Sequence, residues 1–166
     1  MKRTVILTRH AKSDWAGDVM IDFDRPLNSR GMRDAPLMGQ RLLAKGYIPD
    51  LVISSTAKRA GTTARLIAGA VGYDEAKIKW VGELYHCRPE AFEEVISGAD
   101  DAAKIIMVVA HNPGITEYAN EKVTGLAIDN MPTCSMVAFS VLIDSWEQFP
   151  GAPGAFEFFD YPKNNN

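Results

Sequence analysis

Four side chains in this sequence are of the kinds that hold anions and move charge, and each follows a short apolar run. Arg9 and His10 come directly after "TVILT", Arg59 sits in "SSTAKRA" just beyond "DLVI", and His111 closes "KIIMVVAH". In open α/β sheets ligands collect at the carboxyl ends of strands, so parallel strands would bring two arginines and two histidines to one rim. Two guanidinium groups held close repel each other unless an anion lies between them, and a phosphoryl dianion suits their forked geometry best. Taken singly, each residue has a plainer reading. An arginine at a strand end is usually solvated or salt-bridged, and a histidine there is more often a hydrogen-bonded structural residue than a catalyst. Their convergence is what favours the anion.

Other chemistries fit the same residues less well. Paired histidines can ligate a metal, but the adjacent arginines disfavour a cation and the nearest carboxylate, Asp14, falls in a loop. No metal and no cofactor are expected. Neither GxxxxGK[ST] nor a GxGxxG after the first strand is present, which removes the usual nucleotide signatures. Cys87 and Cys134 lack a CxxC pairing and read as packed or idle thiols. With 18 basic and 21 acidic residues and a net charge of −3, the chain offers no field that would attract nucleic acid or an anionic membrane.

Placing the four residues requires a frame, and the pattern of apolar runs supplies one. Short strands are expected at 4–8, 50–53, 77–80 and 104–110, with helices between them at 28–44, 57–70 and 89–97 and a fourth opening near "HNPGITEYANEKV". Asn28 or Ser29 would cap the first helix and Gly46 would stop it, while Met32, Ala35, Met38, Leu42 and Leu43 would form its apolar face and Pro36 would strain it. Residues 135–143 and 155–161 follow with no helix between them and read as an antiparallel pair. Alternating strands and helices imply a mixed, mainly parallel sheet covered by helices on both faces, an α/β fold. At 166 residues and 46% hydrophobic, one core is expected, a single domain over 1–161 with a tail at 162–166. The apolar run after the basic N-terminus is too short for a signal or spanning segment, so a cytoplasmic location is expected.

Several stretches, in order, resemble the histidine phosphatase superfamily, and its small SixA-like phosphohistidine-phosphatase branch in particular. "LTRHAKSDW" is similar to the RHG/RHA signature, "DFDRPLNSRGMRDA" to the D-x-x-RPL stretch, and "PDLVISSTAKRAGTTA" to the block carrying the second arginine. "ELYH" is similar to the acidic-Leu-Tyr element and "IIMVVAHNPGI" to the VGHNPG element, with Ala110 where Gly is usual. The resemblance implies a phosphoglycerate mutase-like fold and a metal-independent phosphatase that works through a phosphohistidine. It implies His10 as nucleophile, Arg9 and Arg59 holding the phosphoryl oxygens, His111 hydrogen-bonded to them, and Glu83 as proton donor. Ser13 and Lys12, in the turn after His10, either support the phosphate or are loop residues. His86 has no role that the sequence argues.

The short interval from Ala57 to Val81, mostly helix, leaves little room for a lid over the site. An open site suits a phosphorylated side chain on a protein, so phosphohistidine on a protein is the expected substrate. A small phosphoester metabolite is the first alternative. A non-catalytic phosphate-binding interaction domain is the second.

Overall fold

The computed structural model describes residues 1–19 and 21–164. The last two residues of the expected 162–166 tail lie outside the described residues. Six strands form one sheet: β1 (Lys2–Arg9), β2 (Leu51–Ser54), β3 (Lys79–Trp80), β4 (Ile105–Ala110), β5 (Met136–Leu142) and β6 (Ala155–Asp160). Their order across the sheet is β3-β2-β4-β1-β5-β6. The first four are mutually parallel, while β5 runs antiparallel to β1 and β6 antiparallel to β5. This is the mixed, mainly parallel α/β sheet expected of the phosphoglycerate mutase-like topology.

Four helices cover it: α1 (Ser29–Lys45), α2 (Lys58–Val71), α3 (Pro89–Ser97) and α4 (Gly114–Lys122). Because side chains alternate along a strand, each buried strand feeds two cores. Val5, Leu7, Ile106, Val108 and Ala110 meet Phe92 and Ile96 of α3 and Ile115 and Ala119 of α4. Ile6, Met107 and Val109 meet Ala35, Met38 and Leu42 of α1 and Ala60, Ala64 and Ile67 of α2 on the opposite face. Full burial of side chains of this size is worth roughly 1.5–3 kcal/mol each. The central strands β1 and β4 are therefore the most firmly held part of the frame.

The expected apolar face of α1 is corrected in detail. Met32 and Leu43 are 47% and 46% exposed, whereas Gly31, Asp34 and Gly39 are buried beside Ala35, Met38 and Leu42. The reason is close approach. A methyl group on Gly39 would lie 2.6 Å from Cβ of Ala70, and one on Gly31 would lie 2.2 Å from the carbonyl oxygen of Lys12. The helix thus presses its glycines onto α2 and onto the turn that follows β1. Its start is as expected, with the Asn28 side chain accepting from the Gly31 N–H at 2.9 Å. The expected strand at 77–80 is cut to two residues, because 75–77 form a 3-10 turn capped by Asp74.

Arg3 shows what an arginine does at the other end of β1. Only 2% exposed, it donates to the carbonyls of Asp101, Ala103 and Asp144 at 2.8–2.9 Å, and its guanidinium lies 5.3 Å from the Trp146 ring centre. Its terminal nitrogens are satisfied within the fold, while Nε is buried without a partner. Among the described residues no helix is long and apolar enough to cross a membrane. Arg41 reaches the carbonyls of Tyr161 and Pro162 at 2.8 and 3.0 Å and so ties the start of the tail to α1.

Candidate active site

Residues from the segments that follow the four parallel strands meet in one cleft of about 240 Å³, lined by Arg9, His10, Lys12, Ser13, Asp22, Arg25, Arg59, His86, His111, Asn112 and Thr133. His10 directly follows β1. Its backbone is pinned on both sides, with its N–H donating to the Ala110 carbonyl at 3.1 Å and its carbonyl accepting from Cys134 at 2.9 Å. Ala110, where the family pattern has Gly, is fully buried and leaves this contact intact.

The hydrogen bonds of the His10 ring fix its tautomer. Nδ1 lies 2.8 Å from the carbonyl oxygen of Ala11, and a carbonyl can only accept, so Nδ1 carries the proton. Nε2 is left with its lone pair, and Arg59 Nε–H points at it from 3.4 Å. The turn is braced from α2, since the Ala11 N–H donates to Thr63 Oγ1 at 2.9 Å and that hydroxyl donates to the Arg59 carbonyl at 2.8 Å. Burial, and then the charges of Arg59, Arg9 and Arg25, lower the His10 pKa to about 3. The ring is neutral at physiological pH, and burial outweighs the cations in making it so.

His111 follows β4 with its ring centre 5.2 Å from that of His10. Its Nε2 lies 2.7 Å from Ser55 Oγ, a hydroxyl that also accepts from the Ala57 N–H at 3.2 Å. When the Ser55 hydroxyl gives its proton to Nε2, the ring proton sits on Nδ1. Nδ1 is buried and has no partner within the protein. Burial, with the nearby His10 and Arg59, lowers the His111 pKa to about 2. In that tautomer His111 is a neutral donor without an acceptor.

Arg9 is similarly half satisfied. One terminal nitrogen donates to the Met131 carbonyl at 2.8 Å, but its Nε is buried without a partner. Burial and the Arg59 charge lower its pKa. Asn112 reaches the same Met131 carbonyl at 3.1 Å and Asn130 at 2.7 Å, so the 130–134 loop and the start of α4 form one wall. Two buried donors without acceptors, on neighbouring strands, describe a site for an oxyanion.

A second layer was not visible in the sequence. Asp22, on the 3-10 turn Asp22–Asp24, accepts from Arg59 at 2.9 Å, Tyr85 Oη at 2.7 Å and Arg25 at 2.9 Å, and its backbone carbonyl takes a further Arg59 bond at 2.7 Å. Burial alone would raise its pKa. The bonds from Tyr85 and Arg59 and the charges of Arg59 and Arg25 instead hold it well below the usual carboxylate range. Burial and the bond to Asp22 raise the Tyr85 pKa. His86, next in the chain, has Nε2 3.4 Å from the same carboxylate. The "DFDRPL" and "ELYH" stretches pointed to these turns but not to these three side chains.

Of the residues singled out in the sequence, Arg9, His10, Arg59, His111, Ser13 and Lys12 share the cleft, with Ser13 buried and Lys12 exposed. Glu83 lies on the 3-10 turn Gly82–Leu84, exposed, and is not among the cleft-lining residues. Both cysteines are free thiols. Burial pushes the Cys87 thiol up to about 11 and raises that of Cys134 further. Among the described residues, no group of three or more His, Cys, Asp or Glu side chains could hold a metal ion. A hollow of about 350 Å³ between α3, α4 and residues 151–153 contains Lys122, but its ammonium is satisfied by Glu93 at 3.0 Å and the Phe149 carbonyl at 2.8 Å.

Comparison with known proteins agrees with this geometry. A family model for the histidine phosphatase superfamily (branch 1) matches residues 5–85, a span that holds Arg9, His10 and Arg59. An uncharacterised chloroplast protein of Arabidopsis thaliana is 31% identical over 156 residues, covering 89% of this chain and 71% of the relative. Among solved structures, the candidate phosphohistidine phosphatase SixA from Agrobacterium tumefaciens superposes with a TM-score of 0.79 at 27% identity, over 96% of this chain and 98% of that one. A protein histidine phosphatase SixA complexed with tungstate gives 0.81 at 21% identity over 98% and 99%, a likeness of fold. The chain belongs to the histidine phosphatase superfamily, in its SixA-like branch, a group whose phosphatase or mutase chemistry runs through a phosphohistidine.

Proposed function

We propose that this chain is a metal-independent phosphatase that removes the phosphoryl group from phosphohistidine on a protein, with His10 as nucleophile. The observation that carries the reading is the bond from His10 Nδ1 to the Ala11 carbonyl at 2.8 Å, which leaves a neutral Nε2 with its lone pair at the cleft floor. Phosphoryl transfer needs in-line placement and neutralisation of the equatorial oxygens more than covalent assistance. Arg9, Arg59 and the Nδ1–H of His111 would hold those oxygens, and Ser13 and Lys12 would support them from the turn after His10. As Nε2 bonds to phosphorus, the substrate imidazole leaves with the bond's electron pair, and water then attacks the phosphoenzyme to release phosphate.

Two further features support a protein substrate. The interval between β2 and β3 is filled by α2 and one 3-10 turn, so nothing in it extends over the cleft. A leaving imidazole can be protonated by solvent on its far nitrogen, which suits a site where Glu83 stands outside the cleft. Tungstate, present in the related SixA structure, is an oxyanion of the size such a cleft would take. The test is a panel of phosphohistidine protein, sugar phosphates and phosphoglycerates assayed side by side. The reading predicts the highest kcat/KM for phosphohistidine protein, and a preference for an enclosed metabolite would replace it with the small-phosphoester reading.

A further inference from the structure

We propose that His86 is the proton donor to the leaving oxygen when the substrate is a phosphate monoester, which gives this site an activity on alkyl phosphates such as phosphoserine beside its action on phosphohistidine. The inference rests on His10 as the nucleophile. In-line transfer puts the leaving atom opposite Nε2 of His10, away from the cleft floor. His10 is 6% exposed, whereas the side chain of His86 is 58% exposed and lines the same cleft.

Elimination among the cleft residues points the same way. The arginines keep their protons at neutral pH, Asp22 is held ionised by Arg59, Arg25 and Tyr85, and His111 is buried and neutral. Ser13, Asn112 and Thr133 are not acids in this range. His86 remains. Its ring lies against that of Tyr85 at a tilt of 36°, with centres 4.0 Å apart, and 6.2 Å from that of His111. Tyr85 is itself locked to Asp22 and lies edge-on to Phe23.

The carboxylate of Asp22 faces His86, with the rings of Tyr85 and His111 beside it. At 3.4 Å, the contact from Nε2 to Asp22 is longer than a good charged hydrogen bond, and that carboxylate already accepts from Tyr85 and Arg59. The backbone adds an independent sign. His86 has a φ of 54°, a left-handed conformation unfavourable for a non-glycine residue and one that clusters at functional sites.

The step balances as follows. Nε2 of His10 bonds to phosphorus, the P–O bond breaks with its electron pair on oxygen, and the proton on His86 Nε2 passes to that oxygen, releasing the alcohol. Neutral His86 then takes a proton from the water whose oxygen attacks phosphorus. The P–N bond breaks with its pair returning to His10, and inorganic phosphate leaves.

The experiment compares the wild type with His86→Asn, because Asn tolerates the left-handed conformation, and with His86→Gly. Substrates are a phosphoserine peptide, whose alkoxide needs a proton, and 4-nitrophenyl phosphate, whose leaving group does not. Acid-labile phosphate trapped from 4-nitrophenyl phosphate is measured first; its absence in the wild type would overturn the nucleophile reading and this one with it. With it present, both variants should lose about 10²- to 10⁴-fold in kcat on the peptide and less than about fivefold on the aryl ester, with vanadate affinity retained. Added imidazole should restore peptide hydrolysis in His86→Gly. Equal losses on both substrates, no loss on either, or a wild type that forms the phosphoenzyme yet leaves the peptide untouched would overturn the assignment of His86.

Discussion

Arg59 Nε–H points at Nε2 of His10 across 3.4 Å, so the residue that would hold the phosphoryl oxygens also touches the atom that would attack. Arg59 is in turn held by two bonds to Asp22. Placement of the anion and alignment of the nucleophile are therefore one structural matter. Mutations that disturb Arg59 should damage both.

His10→Ala should abolish turnover while the protein stays folded, because the ring supplies a bond rather than a structural contact across the core. Acid-labile phosphate should be trapped on the wild type and be absent from the variant, with unchanged circular dichroism. Wild-type turnover in His10→Ala would remove His10 from the mechanism.

Chelators should leave activity unchanged, since Arg9 and Arg59 bring the positive charge that a metal supplies elsewhere. Vanadate and phosphate should inhibit competitively by taking the donors on Arg9 and His111 that have no partner. Activity lost in a chelator and restored by a divalent ion would contradict this.

Ser55→Ala should lower kcat by about tenfold and stability by about 1–3 kcal/mol, the usual cost of a buried group left unpaired. The hydroxyl is the hydrogen-bond partner of His111 Nε2, at 2.7 Å, and so bears on which ring nitrogen carries the proton. With the partner gone, the ring can take either tautomer, and only one donates to the anion. Unaltered kinetics in a destabilised Ser55→Ala would confine the serine to structure.

Stability should fall as pH drops below about 6.5. His10 and His111 are neutral when folded, with pKa values lowered to about 3 and about 2, while in the unfolded chain they titrate near the ordinary value. Between these limits the unfolded state binds more protons, so stability rises with pH across that window. At pH 5 the loss is about 2 kcal/mol per histidine. Asp22, whose pKa is depressed, adds in the same direction at lower pH. Urea midpoints at pH 7 and pH 5 should differ much less in a His10→Gln, His111→Gln double variant, and an equal pH dependence would contradict the buried neutral state.

What could be read from sequence was set by locality. Asn28 caps α1 through a bond made within one turn and Pro89 opens α3 through its fixed φ, and apolar runs mark the strands wherever both faces are buried, as in β1 and β4. The strand at 77–80 shrank because β3 lies at the sheet edge, where pairing with β2 covers only two residues. Arg9, His10, Arg59 and His111 were legible because a parallel sheet gathers strand ends. Asp22, Tyr85 and His86 were not, since the turn at 22–24 and the turn at 82–86 meet only in three dimensions. Glu83 lies on the 3-10 turn Gly82–Leu84 and His86 two residues past its end, and only the folded backbone reveals which of them lines the cleft.

The tethering of the turn after β1 has a bearing on how such a site can be altered. At one end the Asn28 side chain donates to Asp14 at 3.0 Å and the Asp14 N–H reaches the Pro26 carbonyl at 3.3 Å; at the other, Asp22 is bound to Arg59. Between these anchors lie Trp15 and Ile21, 57% and 55% exposed, with Trp15 stacked against the cleft residue Arg25. Trp15 and Ile21 thus form a replaceable rim. Libraries that vary it would sample new rims for different partner proteins while the bond-making atoms keep their registry, and recognition could be redesigned separately from reactivity.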